Sequence, residues 1–201
     1  MGYDIAIYAE VWRDGCWSLA EPLERNPAFD PEHPLEEPEW KPTELFRERN
    51  YALYAVLADV CNPTCSVERF ESIAPPRGLP SDVSEPLRTW HAQNDGETWS
   101  ECWLLLKEIL DFHWNGKTIT RQAKVDERVA HLFAPGQKGF PYAQWPVGIG
   151  IGYSEVGTGV QVSWEETYAE AVGPAFFEKV LPRLNSFGPP DQVRVVFWFN
   201  F

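Results

Sequence analysis

Apolar and polar or smaller positions alternate at the start of the chain, and its end is a nearly continuous apolar run. Tyr3, Ile5, Ile7 and Val11 are interleaved with polar or smaller residues, which predicts a half-buried strand. Arg13-Asp14-Gly15 follows, and Asp-Gly signals a hairpin because glycine takes the positive φ the turn needs. Cys16-Trp17-Ser18-Leu19 then returns as a second strand. The chain closes on Val193-Arg194-Val195-Val196-Phe197-Trp198-Phe199-Asn200-Phe201, again a strand. Residues 3–11 and 193–199 are expected to share one sheet, since terminal segments are ordered only when tied down.

Between the ends the period changes to that of helices. Asn50 opens a helix through about Val60, with Leu53, Val56, Leu57 and Val60 on one stripe. Pro63 ends it. Ser84 is placed as the cap of a helix over 85–93, stopped by Asn94-Asp95-Gly96. Ser100 is placed as the cap of a helix over 101–113, rich in Leu104, Leu105, Leu106, Ile109 and Leu110. That helix is expected to cover Val193, Val195, Phe197 and Phe199. Val125, Val129, Leu132 and Phe133 suggest another short helix.

Val147–Tyr153 reads as a strand with glycine on one face, returning antiparallel at Val160–Val162. Ser163 and Glu166 have the spacing of a capping box for a helix over 164–172. Pro174 opens a last helix ending near Phe187-Gly188, which Pro182 should kink or split. The element order implies an α+β fold. Its sheet, antiparallel or mixed, includes both terminal strands and packs with several helices.

Residues 21–48 stand apart. They hold six prolines and nine acids against three bases, and read as a long acidic loop without regular structure, pinned by Phe29 and Trp40. The whole chain of 201 residues, 44% hydrophobic and 14% aromatic, has ample core for one domain spanning 1–201. Its net charge of −13 argues against duplex nucleic acid as a partner and for attraction to a basic protein. No apolar run approaches the roughly 18 residues that span a bilayer, and no leader pattern opens the chain. The expected compartment is the cytoplasm, with no membrane association.

Candidate chemistry is sparse. No nucleophile elbow, zinc-protease helix or phosphate loop occurs. Gly148-Ile149-Gly150-Ile151-Gly152 has the wrong spacing for a dinucleotide site, and its glycine face is expected to admit a close neighbour. Cys61 and Cys65 are spaced C-x3-C, but His33, His91, His113 and His131 are scattered singly. No metal and no cofactor are expected. Cys102 reads as a small core residue. Asp4, in an apolar strand, is a general base if a cleft buries it, or else faces water or a neighbouring loop. Arg77, on the stiff Pro75–Pro80 loop, either binds an anion or pairs internally with an acid. Arg194 is expected to pair with an acid on a neighbouring strand.

Several segments occur in an order that resembles a known family. They are Met1-Gly2-Tyr3-Asp4-Ile5, Arg49-Asn50-Tyr51-Ala52-Leu53, Pro75-Pro76-Arg77-Gly78-Leu79-Pro80, Trp103-Leu104 with Glu108-Ile109, and the closing strand. Together they resemble a family of small proteins of bacteriophages, prophages and actinobacteria that carries no established activity. Its members open M-G-C-D-I-H and carry H-S-H-S-W-L before the long helix. Here Ala6 stands at the first histidine position, and Glu97–Cys102 holds no histidine. If the relatives are metal enzymes, this chain lacks their equipment.

The resulting expectation is a non-enzymatic, anti-defence protein of phage or prophage origin, an inhibitor in the manner of an anti-CRISPR. It would bind a basic host protein through an acidic, aromatic surface formed by Glu32, Glu36, Glu37, Glu39, Trp40 and Arg77. Two alternatives stay open: a toxin-neutralising immunity protein, and an enzyme or small-ligand binder with a cleft at Asp4 and Arg77.

Overall fold

The computed structural model describes residues 3–33, 37–64, 66–94, 96, 98–152 and 157–200. In chain order the elements are β1 (Asp4–Arg13), β2 (Cys16–Leu19), β3 (Glu24–Arg25), β4 (Trp40–Lys41), β5 (Phe46–Glu48), α1 (Tyr51–Ala58), α2 (Glu85–Gln93), β6 (Thr98–Leu105), α3 (Leu106–Asp111), β7 (Thr118–Val125), β8 (Val160–Thr167), α4 (Tyr168–Val172), α5 (Leu181–Ser186) and β9 (Val193–Asn200). The fold is α+β with antiparallel sheets, and both terminal strands belong to the main one. The chain divides into two compact units interleaved in sequence. The first comprises Met1–Asn50, Ala74–Asp111 and Ala175–Phe201; the second comprises Tyr51–Ile73 and Phe112–Pro174.

The first unit is built on the sheet β2-β1-β9-β6, with β5 added to β1. β1 and β9 pair from Asp4↔Asn200 to Val11↔Val193. The β1–β2 turn carries Asp14 at φ 52° and Gly15 at φ 83°, the two positive values of a type I′ hairpin. β9 is buried on both faces, as its nearly continuous apolar run allows, and so is β1 from Ile5 to Val11, which corrects the half-buried strand expected there: the intervening Ala6, Tyr8 and Ala9 are buried as well, and Glu10 is paired. On one face Ala6, Tyr8, Val196 and Trp198 pack with Val83 and Leu87, the latter from α2. Ile5, Ile7, Val195, Phe197 and Phe199, on the other, are at most 1% exposed.

Other expectations are corrected in this unit. Residues 98–105 are a strand, not the start of a helix over 101–113, and only 106–111 are helical. Buried Cys102 and Leu104 alternate with part-exposed Trp103 and Leu105, a period of two that the leucine-rich composition conceals. Ser100, the expected cap, sits at φ 52° in a bulge between Trp99 and Cys102. Residues 21–48 are not devoid of regular structure: β3 and β4 form a short ribbon and β5 joins the main sheet. Ser84 does precede α2, but its hydroxyl makes no capping bond. The last helix is not split at Pro182: residues 174–186 stay helical without a break. A π-helical turn over Phe176–Val180 precedes α5, absorbing the backbone bond that a proline cannot donate.

The second unit is built on the β7–β8 ribbon, paired from Thr118↔Thr167 to Val125↔Val160. Its core gathers Ala123, Val125, Val129, Val162 and Trp164, with Phe133, Phe140 and Trp145 packed around them. The helix expected around Val125–Phe133 is instead the end of β7 followed by a single 3-10 turn, Ala130–Leu132. The helix expected over 164–172 begins only at Tyr168, because β8 runs through Thr167. The capping box is present four residues later than expected, between Thr167 and Glu170. Residues 147–152 form no strand. Gly148, Gly150 and Gly152 meet no close neighbour, while Val147 and Ile151 are exposed. Tyr153 lies outside the described residues.

Candidate functional site

The acidic stretch folds around one side chain. Asn26, 5% exposed, donates its backbone N–H to the Glu39 carbonyl at 2.8 Å and its amide to Glu37 Oε2 at 3.2 Å. Its own Oδ1 accepts from Ala28 N–H at 3.1 Å. Asp30 accepts from the backbone of Glu32 at 2.9 Å, an Asx turn that reverses the chain. The His33 ring holds the Asp30 carboxyl below its usual range. The ribbon register opposes Glu24 to Lys41 and Arg25 to Trp40, and Lys41 Nζ lies 3.3 Å from Glu24. Glu39 stands 3.9 Å from Arg25. Trp40 remains 53% exposed, and Leu23, just before the ribbon, is also exposed. Thus Trp40 is exposed on the ribbon and Glu32, Glu37 and Glu39 are exposed in the described parts of the segment joining its strands, while Glu36 lies outside the described residues.

Arg77 is elsewhere in the first unit. Its guanidinium is bidentate to Glu108, at 2.6 and 2.9 Å, and lies 5.0 Å from the centre of the Trp103 ring. The arginine holds the Glu108 carboxyl below its ordinary value. This is the internal pairing weighed for Arg77 from the sequence. Asp4 accepts from Arg49 at 3.3 Å. Asp4 pairs with Asn200 and Trp103 with Val196, four residues apart along β9 and on opposite sides of it, so Asp4 and the backbone of Trp103, which Arg77 overlies, are about 16 Å apart. The structure does not bring Asp4 and Arg77 together.

Sequence reasoning missed a cavity in the second unit, of about 370 Å³, lined by Phe140, Tyr142, Glu166 and Glu170 among others. Glu166 projects from β8 into the core. Its Oε2 accepts from Trp164 Nε1 at 2.8 Å, and Oε1 lies 3.6 Å from Arg121 of β7. Burial pushes the Glu166 carboxyl above its usual range, against the pull of Arg121 and the Trp164 bond and with the help of nearby Glu170. The Phe140 and Tyr142 rings meet at 4.6 Å and 44°. The signal available beforehand was Arg121, a charged residue in the apolar alternation of β7.

Among the described residues, no three His, Cys, Asp or Glu side chains are grouped to hold a metal ion. Cys102 is buried and reduced, Cys61 is half-buried, and Cys65 lies outside the described residues. None of the described helices is long and apolar enough to cross a membrane. No family model, curated protein or solved structure matches the chain.

Proposed function

We propose that this protein is a non-enzymatic inhibitor that captures a basic, nucleic-acid-binding host protein, in keeping with the phage and prophage family it resembles. One observation carries the reading. The first unit holds 21 acids against 11 bases by sequence, a net of −10. Nine of those bases, Arg25, Lys41, Arg47, Arg49, Arg77, Arg88, Lys107, Arg183 and Arg194, already stand in ion pairs within the unit. The surplus carboxylates are therefore what an approaching molecule meets. Such a field speeds encounter with a basic groove and repels nucleic acid. Exposed Trp40 and Trp12 supply aromatic anchors of the kind that concentrate binding energy.

The test is affinity capture from a bacterial lysate by the immobilised protein, beside a variant carrying Glu32→Gln, Glu37→Gln, Glu39→Gln and Trp40→Ala. A basic nucleic-acid-binding protein retained by the wild type, released by competing DNA or RNA and lost by the variant, supports the reading. Equal retention by the variant, or release that nucleic acid does not affect, contradicts it.

A further inference from the structure

The cavity of the second unit carries an inference independent of the acidic ribbon. We propose that it is a binding site for an organic monocation of the alkylammonium or guanidinium class, received between the Phe140–Tyr142 corner and the carboxylates of Glu166 and Glu170.

The charge count asks for such a ligand. Two carboxylates line the cavity, and no Lys, Arg or His is among its described lining residues. Arg121, behind Glu166, answers one of them at 3.6 Å. Glu170 binds the Thr167 backbone N–H and hydroxyl through Oε2, at 2.7 and 3.0 Å. Its other oxygen, Oε1, faces Gly139, 3.9 Å from where a side chain there would begin. Of the two carboxylates, only Glu166 has an ion-pair partner among the described residues. The depressed ionisation of Glu166 points the same way, since a cation beside it would restore the charged form.

Shape and lining select the kind of cation. A volume of about 370 Å³ lies at the small end of ligand pockets, suited to a side-chain-sized group rather than a dinucleotide. The described groups include no three metal-ligating side chains, so a bare metal ion is not favoured. Aromatic faces attract soft, weakly hydrated cations such as guanidinium and methylated ammonium, and Tyr142, 62% exposed, stands at the mouth to meet them. The cation has two sources: a free small molecule, or the Lys or Arg side chain of another protein.

Calorimetric titration of the full chain tests the inference with four probes. Choline and agmatine are free cations; acetyl-arginine methylamide and acetyl-trimethyllysine methylamide stand for protein side chains. The neutral controls are 3,3-dimethylbutanol and acetyl-citrulline methylamide. The cations should bind with Kd below about 1 mM and at least about tenfold more tightly than their neutral counterparts. Tyr142→Ala and Glu170→Gln should each weaken binding by about fivefold or more. Glutamine keeps the acceptor the capping box uses, so the Glu170 variant should stay folded. Tighter binding of the two capped residues assigns the site to a protein side chain, and tighter binding of the free cations assigns it to a small molecule. Neutral controls within about threefold of the cations, variants that bind as wild type, or no cation binding at about 5 mM by folded protein would each overturn the proposal. None of these outcomes depends on whether the acidic unit has a partner.

Discussion

Glu10 and Arg194 stand directly opposite each other in the β1–β9 register and close a buried ion pair, Nη2 to Oε2 at 2.6 Å, with side chains 0% and 2% exposed. The pair is fully answered. Arg194 Nη1 also donates to Asp82 at 2.7 Å, and its guanidinium lies 4.2 Å from the Trp17 ring centre. Glu10 Oε1 accepts from the backbone of Ser84 at 2.7 Å, which ties the start of α2 to the sheet. A slip of β9 by one residue would turn Arg194 to the opposite face and strand both charges.

Removing one partner of that pair should therefore be costly. Glu10→Ala should lower unfolding free energy in urea by about 3–5 kcal/mol, because it leaves Arg194 and the Ser84 N–H buried with less to bind. The double variant Glu10→Leu, Arg194→Met should lose much less, since two apolar side chains need no partners. A single variant as stable as the double would show that the pair does not act as a unit.

β9 lies between β1 and β6, so its loss cannot be confined to an edge. Deleting the last six residues removes Phe197, Trp198 and Phe199, each at most 1% exposed. The truncated chain should show no cooperative thermal unfolding transition in circular dichroism. A truncated form melting at the wild-type temperature would contradict the placement of the C-terminal strand.

Two carboxylates should give opposite pH signatures. Glu108 is held below its ordinary value of 4.5 mainly by the Arg77 hydrogen bonds, so its contribution is present above that value and lost as pH falls through the folded-state value. Arg77→Met should cost about 1 kcal/mol at neutral pH, a modest figure because both side chains are part-exposed, and the gap to wild type should narrow in acid. A gap independent of pH would assign the Arg77 contribution to its stacking on Trp103.

Glu166 behaves the other way. Burial raises its carboxyl above the ordinary 4.5, so the folded state holds a proton the unfolded chain releases, and stability falls as pH rises across that window. Glu166→Gln should be less stable than wild type at low pH, with the difference shrinking as pH rises from about 4.5. A difference that widens with pH in urea titrations would mean that Arg121 outweighs burial.

How far the sequence reached follows from local versus distant causes. The β1–β2 hairpin was legible because Asp14-Gly15 encodes its own turn, and the terminal strands because the first alternates and the last is a dense apolar run; that β1 is buried on both faces was not, since the cover over Ala6 and Tyr8 comes from distant residues such as Val83 and Leu87. The acid partner of Arg194 was foreseeable in kind, since a charge inside an apolar strand must be answered nearby. β6 was misread because Leu104, Leu105, Leu106, Ile109 and Leu110 favour helix locally, while pairing with β9 decides the state up to Leu105. In β7 the alternation Ile119, Arg121, Ala123, Val125 was hidden by the arginine, whose buried position depends on Glu166 some 45 residues away. The capping box was misplaced because Ser163-to-Glu166 has the same spacing as Thr167-to-Glu170, and only the length of β8 chooses between them. Trp40 and the acids joining the ribbon strands were legible as an acidic, aromatic stretch; its ordering by Asn26 was not. The cavity required β8, α4 and the 139–142 segment to meet, which no single stretch announces.

The most direct test of the central claim is the association rate with the purified captured partner as a function of ionic strength, for the wild type and for Glu32→Gln, Glu36→Gln, Glu37→Gln, Glu39→Gln. If the acidic unit steers a basic partner, the wild-type on-rate should fall by about tenfold or more between about 50 and 500 mM salt, and the variant at low salt should already show the slower rate. A wild-type on-rate indifferent to salt, or a variant that associates as fast as wild type at low salt, would contradict it.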